Sequence, residues 1–290
     1  MRIAEYPRPR HVLAHFSDTH LRHPDDPLVR GVVDARPNLV AALEAASAHT
    51  PEAFVFTGDL SDDGTPESYA ELRRIVEPVA ARLGATVIWG NGNHDERAAF
   101  DAALLGGPGR TDPLNQVHRL GGLRMLCLDS TVPGLESGEV SPGSLAWLAG
   151  QLAEPAPEGT ILAMHHAPLP VVQDLAASWE LVGQPELAGV LAGSDVRAIL
   201  AGHFHQSGFG TFAGIGVHAA TSLCYTQDLA TGRGMRGRDG AQAWQLVSVH
   251  AATVTSTVAP VGAFPDVTGT HSPAESDAEL AARGVRIPGT

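Results

Sequence analysis

The sequence contains no lysine, and all 19 of its basic residues are arginines. P-loop nucleotide hydrolases, protein kinases and Schiff-base enzymes each depend on a lysine amine, so these classes are excluded. The only two cysteines, Cys127 and Cys224, are far apart in the chain. This excludes a disulfide framework and a thiolate zinc site. No run of 18 apolar residues is present, so the sequence predicts no membrane-spanning helix.

Positive charge is scarce as well, since the formal net charge is −13. Nucleic acids and anionic membrane surfaces are bound by clustered basic side chains, so neither is an expected partner. The first 20 residues lack the apolar core of a secretory signal. Together with the sparse cysteines, this predicts a cytoplasmic location.

Histidine, in contrast, is abundant, with 14 residues in a chain of 290. Such usage points to metal binding or acid–base chemistry. The chain is 43% apolar, which is enough to form a sizeable core. Its length suits one large α/β domain or two small ones.

Apolar runs typical of buried strands alternate with helical segments over the first 200 residues, which predicts a largely parallel α/β arrangement. The predicted strands are Val12–Phe16, Ala53–Thr57, Thr86–Trp89, Leu123–Leu128, Thr160–Met164 and Val196–Leu200. The predicted helices are Asn38–His49, Pro66–Leu83, Glu96–Leu105, Ser141–Leu152 and Gln184–Leu191.

From Thr211 onward the pattern changes to short strands alone, with a long Gly- and Arg-rich loop over Asp228–Gly240. We expect these strands to complete a second sheet packed on the first; they are Gly216–Thr221, Ala243–Val249 and Thr253–Val258. Residues 1–265 are predicted to form the main domain. Residues 266–290 are predicted to form a polar C-terminal arm with one short helix, Ala274–Arg283.

Polar residues capable of chemistry follow five of the predicted strands directly. They are Asp18-Thr19-His20, Gly58-Asp59, Gly92-Asn93-His94-Asp95, His165-His166 and Gly202-His203-Phe204-His205. In α/β sheets, ligands bind at the carboxyl ends of the strands, so we expect these side chains to meet at one edge.

These residue types are suited to binding transition metals, because carboxylates and imidazoles are ligands of Zn, Mn, Fe and Co. In Asp18-x-His20 and His203-x-His205 the spacing places both side chains on one face of an extended segment. Glycines at 58, 92 and 202 are expected to allow sharp turns beside the site. Two metals that share the Asp59 carboxylate and a hydroxide would suit in-line displacement at phosphorus. The seven predicted ligands are Asp18, His20, Asp59, Asn93, His165, His203 and His205.

The order of these motifs resembles the calcineurin-like metallophosphoesterase superfamily, and within it the class III cyclic nucleotide phosphodiesterases. The likeness also includes Val55–Leu60, Asp195–His203 and Cys224–Leu229, and it covers roughly residues 10–260. It implies a four-layer αββα sandwich with two metals at one edge. One metal is assigned to Asp18, His20, Asp59 and His205, and the other to Asp59, Asn93, His165 and His203.

The resemblance also implies the roles of further groups. His94 would contact the substrate phosphate beside Asn93 and protonate the leaving oxygen, and Asp59 and His94 would be the catalytic residues. Fe with Mn is the expected metal pair, with Mn, Zn or Co as alternatives. Family members are often dimers, so a homodimer is expected.

The expected activity is hydrolysis of a small phosphodiester, foremost 3′,5′-cyclic AMP and other cyclic nucleotides, by attack of a metal-bridging hydroxide. A glycerophosphodiesterase or a broad-specificity phosphodiesterase is the alternative. A nuclease of the same superfamily is disfavoured by the net charge of −13. Asp62 stands where purple acid phosphatases carry a tyrosine, which separates the chain from that branch.

Overall fold

Two stacked β-sheets form the centre of the computed structural model, which describes residues 2–288. Their strands, in chain order, are β1 (His11–Phe16), β2 (Ala53–Thr57), β3 (Thr86–Gly90), β4 (Gln116–Leu120), β5 (Leu123–Leu128), β6 (Thr160–His166), β7 (Val196–Gly202), β8 (Gly208–Phe212), β9 (Ile215–Ala219), β10 (Ala243–Val249) and β11 (Val254–Pro260). Short two-residue ladders join Arg2–Ile3 to Val285–Arg286, Gly138–Glu139 to Leu181–Val182 and Thr226–Gln227 to Gly237–Arg238.

The first sheet has the order β11-β10-β1-β2-β3, in which β1, β2 and β3 are parallel. The second has the order β8-β9-β7-β6-β5-β4, in which the four central strands are parallel. The parallel strands of each sheet therefore end together, and these ends carry the motifs found in the sequence.

Helices cover the outer faces of the two sheets. They are α1 (Arg36–Ser47), α2 (Pro66–Leu83), α3 (Arg97–Phe100), α4 (Pro142–Leu152) and α5 (Gln184–Leu191). A further helix, α6 (Pro273–Ala282), has no buried residue and covers neither sheet. A π-helical turn over Asp101–Leu105 continues α3, and 3-10 turns span Asp174–Trp179 and Leu229–Thr231. Within residues 2–288 no helix is both long and apolar enough to cross a membrane.

Side-chain alternation along the strands builds the layers. In β1, Leu13 packs between the sheets with Met125 and Ala163 of the second sheet. Phe16, three residues further along β1, instead packs on the outer face in the cluster that contains Leu72 of α2. An equivalent cluster joins the outer face of the second sheet to α4 and α5. The layers are thus helix, sheet, sheet and helix, which confirms the four-layer αββα prediction.

The ends of α2 follow local signals in the sequence. The Thr65 side chain accepts a hydrogen bond from the Ser68 amide at the start of the helix. At its end, Gly84 adopts the left-handed conformation with φ 68°. The predicted helix Pro66–Leu83 is therefore confirmed at both ends.

The prediction for the late strands is partly wrong. β9 does join the second sheet beside β7, but β10 and β11 extend the first sheet, where β10 pairs antiparallel with β1. The second sheet begins much earlier, at the unpredicted strand β4. Both strands absent from the prediction, β4 and β8, lie at sheet edges and have polar or glycine-rich sequences. The pattern rules for buried strands do not detect such edges.

The C-terminal segment contains α6, which begins at a capping box between Ser272 and Glu275 and has no buried residue. The segment then returns to the amino terminus, where Val285–Arg286 pairs in parallel with Arg2–Ile3. The last two residues of the predicted arm, 289 and 290, lie outside the described residues. The division at residue 265 stays a prediction.

Candidate dinuclear metal site

The predicted ligands lie at the carboxyl ends of β1, β2 and β3 of the first sheet and of β6 and β7 of the second. The structure brings all seven of them and His94 into one cluster. Asn93 is half-buried and His94 is exposed, whereas the other six are buried, although they are all charged or polar groups. Burying charged and polar groups is costly unless they are hydrogen-bonded, paired or bound to a metal, so a cluster of this kind indicates a functional site.

Asp18, His20, Asp59 and His205 form the first donor group, whose donor atoms all lie within 4.8 Å of one another. The Nε2 atoms of His20 and His205 are 3.0 Å apart. His20 Nε2 lies 3.6 Å from Asp59 Oδ2, and His205 Nε2 lies 3.4 Å from Asp18 Oδ1.

A second donor group surrounds His165. Its Nε2 lies 3.1 Å from Asn93 Oδ1, 3.1 Å from His203 Nδ1 and 3.4 Å from Asp59 Oδ2. The same Asp59 oxygen therefore faces both donor groups. This arrangement matches two adjacent metal positions that share one carboxylate.

The hydrogen bonds behind the second group determine where its ring protons lie. His165 Nδ1 donates to the carbonyl of Thr57 at 2.8 Å, and His203 Nε2 donates to the carbonyl of Trp179 at 2.9 Å. Because carbonyls only accept, the opposite nitrogen of each neutral ring carries a lone pair. His165 Nε2 and His203 Nδ1 thus face each other as two acceptors.

The first group repeats this pattern. His205 Nδ1 donates to the carbonyl of Tyr225 at 2.8 Å, and His20 Nδ1 donates to Asp62 Oδ1 at 3.2 Å. The Nε2 atoms of His20 and His205 therefore also face each other with their lone pairs, at a distance of 3.0 Å. Such contacts are unfavourable unless positive charge lies between them, and a metal cation supplies that charge. The donor set therefore fits one cation in each group.

The electrostatics of His165 lead to the same conclusion. Burial lowers the pKa of this imidazole, but the carboxylates of Asp59 and Asp18 outweigh burial and raise the pKa to about 9. The cluster therefore favours positive charge at His165 Nε2, which either a proton or a bound cation could provide.

Backbone strain is concentrated at the predicted ligands. Asp18, His20, Asp59, His203 and His205 all have positive φ, between 44° and 79°. Non-glycine residues rarely adopt this region, and each such residue costs roughly 1–3 kcal/mol. The surrounding sheets must hold these loops in place, since the ligand residues themselves disfavour the conformation.

The glycines beside the site have two different functions. Gly58 has φ +103°, which confirms a sharp turn, and a Cβ there would lie 2.5 Å from His165 Nδ1. The chain also turns at Gly92 and Gly202, whose carbonyls accept from the amides of Asp95 and Phe204, although neither glycine has a left-handed φ value. These two glycines allow close approach as well, since a Cβ on Gly92 would lie 2.2 Å from the Asp59 amide nitrogen.

Asp62 orients the predicted ligand His20, a function that the sequence alone did not indicate. Its Oδ1 accepts from His20 Nδ1, and its Oδ2 accepts from Arg22 Nη1 at 2.8 Å. Burial raises the pKa of Asp62, but His20 and Arg22 outweigh it and lower the pKa to about 2. Only the packing of the loop after β2 against the Asp18–Arg22 loop creates this contact, because 42 residues separate Asp62 from His20.

Asp95 holds two ligand loops together and was also unassigned. Oδ2 accepts from the amides of Leu60 and Gly92, and Oδ1 accepts from the Ser61 amide and the Tyr69 hydroxyl, at 2.8–3.1 Å. Burial and the Asp59 carboxylate raise the pKa of Asp95 to about 6, although the backbone donors oppose this shift. Asp95 thereby fixes the position of the Asn93 loop relative to Asp59.

We expect Asp95→Asn to lower stability by about 1–3 kcal/mol, because the new amide leaves at least one buried N–H donor without an acceptor. Metal affinity should fall roughly 10–100-fold, as is typical when a residue that supports the ligands is lost. Thermal unfolding and metal titration measure the two effects. The control is Asp277→Asn, on an exposed carboxyl of α6. Equal metal affinity in both variants would contradict the positioning role.

His94 lies at the solvent side of the cluster, with its side chain 37% exposed. Its Nδ1 lies 3.3 Å from the Asp62 carbonyl, and its amide donates to Asp59 Oδ1 at 2.9 Å. Burial lowers the pKa of His94, but Asp59 and Asp62 outweigh burial and raise the pKa above the usual histidine value. The donor atoms of His94, His20 and Asp62 also lie within 4.8 Å of one another. The position of His94 alone therefore does not decide whether it binds a metal or the substrate.

His166 lies close to the second donor group, in contact with His165 and His203. Both of its ring nitrogens already have other partners, since Nδ1 lies 2.9 Å from the Ser130 hydroxyl and Nε2 lies 3.1 Å from the Glu136 carbonyl. Burial lowers the pKa of His166 well below its usual range. Because both nitrogens of this neutral ring have other partners, we expect His166 to support the predicted ligands and not to be one of them.

Comparisons with known proteins identify the family. The model of the calcineurin-like phosphoesterases matches residues 11–207. A probable cyclic nucleotide phosphodiesterase of Rhodococcus erythropolis is 51% identical, over 99% of this chain and 96% of its own length. A cAMP/cGMP dual specificity phosphodiesterase of Mycobacterium tuberculosis is 49% identical, over 99% of this chain and 91% of its own length.

The fold has solved counterparts as well. A dimetal phosphatase from Danio rerio superposes with a TM-score of 0.60 at 13% identity, covering 86% of this chain and 99% of that one. This identity supports the shared fold alone. With the family match across most of the chain and two full-length relatives near 50% identity, the chain belongs to the calcineurin-like phosphoesterase family.

Proposed function

We propose that this protein is a metal-dependent phosphodiesterase that hydrolyses 3′,5′-cyclic nucleotides, with cyclic AMP as the foremost substrate. The observation that carries the chemistry is the pair of buried donor groups sharing Asp59 Oδ2, which lies 3.6 Å from one ligand nitrogen and 3.4 Å from another. The names of the two full-length relatives support the substrate class.

The residues proposed to hold the metals are those of the two donor groups. Asp18, His20, Asp59 and His205 would bind one ion, and Asp59, Asn93, His165 and His203 would bind the other. We propose Fe with Mn, and Mn, Zn or Co as alternatives, since mixed oxygen and nitrogen ligands suit all of them. When bound, such ions supply a nucleophile from water at neutral pH and offset charge on the phosphoryl oxygens.

His94 is proposed as the proton donor to the leaving ribose oxygen. Its Nδ1–H is directed at the Asp62 carbonyl, which leaves Nε2 without a hydrogen bond to residues 2–288. The carboxylates that raise its pKa favour the imidazolium, which holds a proton at Nε2. Asn93 places its amide beside His165 Nε2 and contributes to holding the phosphate next to His94.

Removing the metals should lower the melting temperature markedly, because ions that bind only the folded state stabilise it. At 100 times the dissociation constant the stabilisation is about 2.7 kcal/mol per site. Calorimetry of chelator-treated and Mn-reconstituted protein tests this, together with metal analysis for two ions per chain. Full activity with one ion per chain would refute the dinuclear proposal.

Substrate class is tested by a panel of diesters after reconstitution with Mn, Fe, Zn and Co. We expect kcat/KM to be highest for 3′,5′-cyclic AMP and other 3′,5′-cyclic nucleotides. The panel also contains 2′,3′-cyclic nucleotides and glycerophosphodiesters. Comparable rates throughout would contradict a cyclic nucleotide phosphodiesterase and favour a broad-specificity enzyme.

We further propose a homodimer whose C-terminal arm, residues 266–290, lies outside the phosphoesterase domain of residues 1–265. The supporting observation for the arm is that α6 has no buried residue in the single chain. Analytical ultracentrifugation of the full chain tests the association. A monomer at micromolar concentration would contradict it.

A further inference from the structure

Two surface loops line the cleft that contains the two donor groups. One loop comprises residues 173–179 and the other comprises residues 225–238, and we call the pair the strap. The cleft is lined by Gln173 and Trp179 of the first loop and by Tyr225 and Met235 of the second. The strap therefore lies beside the predicted metal positions, although it contributes none of the seven predicted ligands.

Each loop of the strap orients one predicted ligand. The Trp179 carbonyl accepts from His203 Nε2 at 2.9 Å, and the Tyr225 carbonyl accepts from His205 Nδ1 at 2.8 Å. An acceptor behind a ligating imidazole fixes its tautomer and the direction of its ring. Because His203 belongs to one donor group and His205 to the other, movement of the strap would disturb both groups.

A buried glutamine joins the two loops. Gln173 has no exposed surface, and its Nε2 lies 2.8 Å from the Gly234 carbonyl, 3.2 Å from the Thr231 hydroxyl and 3.4 Å from the Asp228 carbonyl. Because carbonyls only accept, the nitrogen of the Gln173 amide faces these atoms and the oxygen does not. The first loop thus donates the N–H groups of one side chain to several acceptors of the second.

Gln173 is also close along the chain to both orienting carbonyls. Its own carbonyl accepts from the Ala176 amide at 3.0 Å, at the start of the 3-10 turn that ends at Trp179. In the second loop, its acceptor Asp228 follows Tyr225 by three residues. A displacement at Gln173 therefore reaches the carbonyls of Trp179 and Tyr225 through short segments of backbone.

The other connections of the strap differ in kind. The ion pair between Asp174 and Arg233 is exposed at both side chains, 57% and 84%, and such pairs contribute little. Within the second loop, the Asp228 carboxylate accepts from Arg236 and Arg238, which fixes the shape of that loop but does not connect it to the first. The buried Gln173 contact is therefore the connection between the loops that water weakens least.

Resting on the proposed function, we infer that Gln173 is a positioning residue for metal retention. By joining the two loops, it keeps the carbonyls of Trp179 and Tyr225 against His203 and His205. Loss of the Gln173 contact lets the loops separate, which frees both imidazoles to rotate and speeds the release of bound ions. The inference concerns how long the ions stay bound and leaves the choice of substrate unchanged.

Release of Mn²⁺ to an excess of chelator tests this coupling without turnover. We expect Gln173→Glu to release Mn²⁺ roughly 10–100-fold faster than the wild type, because its carboxylate keeps the size but faces three acceptors. Gln173→Met keeps the length without a charge and should show a smaller change in the same direction. The matched control is Gln184→Glu, at the half-buried start of α5, which should release Mn²⁺ at the wild-type rate.

Hydrogen exchange of the metal-free protein tests the strap directly. In Gln173→Glu the amides of Asp174 and Gly234, whose acceptors lie in the strap, should exchange at least about 10-fold faster than in the wild type. The amides of β5 should exchange at an unchanged rate. Adding Mn²⁺ to the wild type should slow exchange at the same strap amides, because coupling between two sites is reciprocal.

A destabilised variant separates positioning from a general loss of stability. Leu148→Ala removes a buried side chain from the core beneath α4 and should lower the melting temperature without speeding Mn²⁺ release. Wild-type release from Gln173→Glu, or equally fast release from Leu148→Ala, would overturn the inference. Failure of the proposed function appears separately, as a wild-type protein that binds no Mn²⁺ or hydrolyses no cyclic nucleotide, whatever the exchange rates of the strap.

Discussion

Replacing Asp59 with asparagine is expected to lower kcat/KM toward cyclic AMP by about 10³-fold or more. The loss should exceed the roughly 10–100-fold effect of residues that only support ligands, because Asp59 Oδ2 faces both donor groups. Asparagine keeps the shape and still accepts from the His94 amide, but it removes the shared negative charge. Metal content should fall below two ions per chain.

Loss of fold must be distinguished from loss of metal in this experiment. Burial raises the pKa of Asp59, but the imidazoles of His165, His20 and His94 outweigh burial and hold the pKa well below its usual range, so the variant loses this attraction but no longer buries a carboxylate in the metal-free protein. We therefore expect Asp59→Asn to melt cooperatively and to lose the stabilisation that added Mn gives the wild type. Asp277→Asn serves as the matched control. Two ions per chain with wild-type turnover in Asp59→Asn would refute the shared-ligand proposal.

Replacing His94 with alanine is expected to lower kcat toward cyclic AMP by about 10²–10⁴-fold, the range for a lost general acid. The backbone amide that contacts Asp59 remains in the variant, so both metals should stay bound. Metal analysis and Mn-dependent melting check that expectation. His271→Ala, on an exposed histidine of the C-terminal segment, is the matched control.

The chemistry of the leaving group distinguishes a proton donor from a metal ligand. A p-nitrophenolate leaving group needs little protonation, so His94→Ala should lose much less activity toward bis(p-nitrophenyl) phosphate than toward cyclic AMP. A metal ligand would affect both substrates alike. Equal losses toward the two diesters, with metal released, would contradict the proton-donor role.

Much of the fold could be predicted because its central strands are short apolar runs buried on both faces. Ala53–Thr57 and Leu123–Leu128 have the same bounds in the structure as in the prediction. The edge strands β4 and β8 escaped prediction because partial exposure removes the apolar signal. The pairing of β10 with β1 could not be predicted either, since strand order depends on contacts distant in sequence.

The candidate site could be predicted where residues of metal-binding chemistry directly follow predicted strands. The motifs at the strand ends indicate the types of ligand; they are Gly-Asp, Asn-His-Asp and His-x-His. The structure places the predicted ligands of these motifs within one cluster. Asp62 and Asp95 were missed in their supporting roles because most of the groups that they contact lie 26 to 42 residues away. No spacing rule detects such contacts.

By itself, the sequence determined the family, the ligand types and the exclusion of lysine-based mechanisms, because these depend on which residues are present and in what order. The tertiary structure decided which nitrogen of each histidine faces the donor groups. For His165, His203 and His205 that choice depends on the backbone carbonyls of Thr57, Trp179 and Tyr225, which carry no side-chain signature. For His20 it depends on the Asp62 carboxylate. It also decided that Gln173 joins the two loops of the strap, because only the packing of separate loops creates that contact.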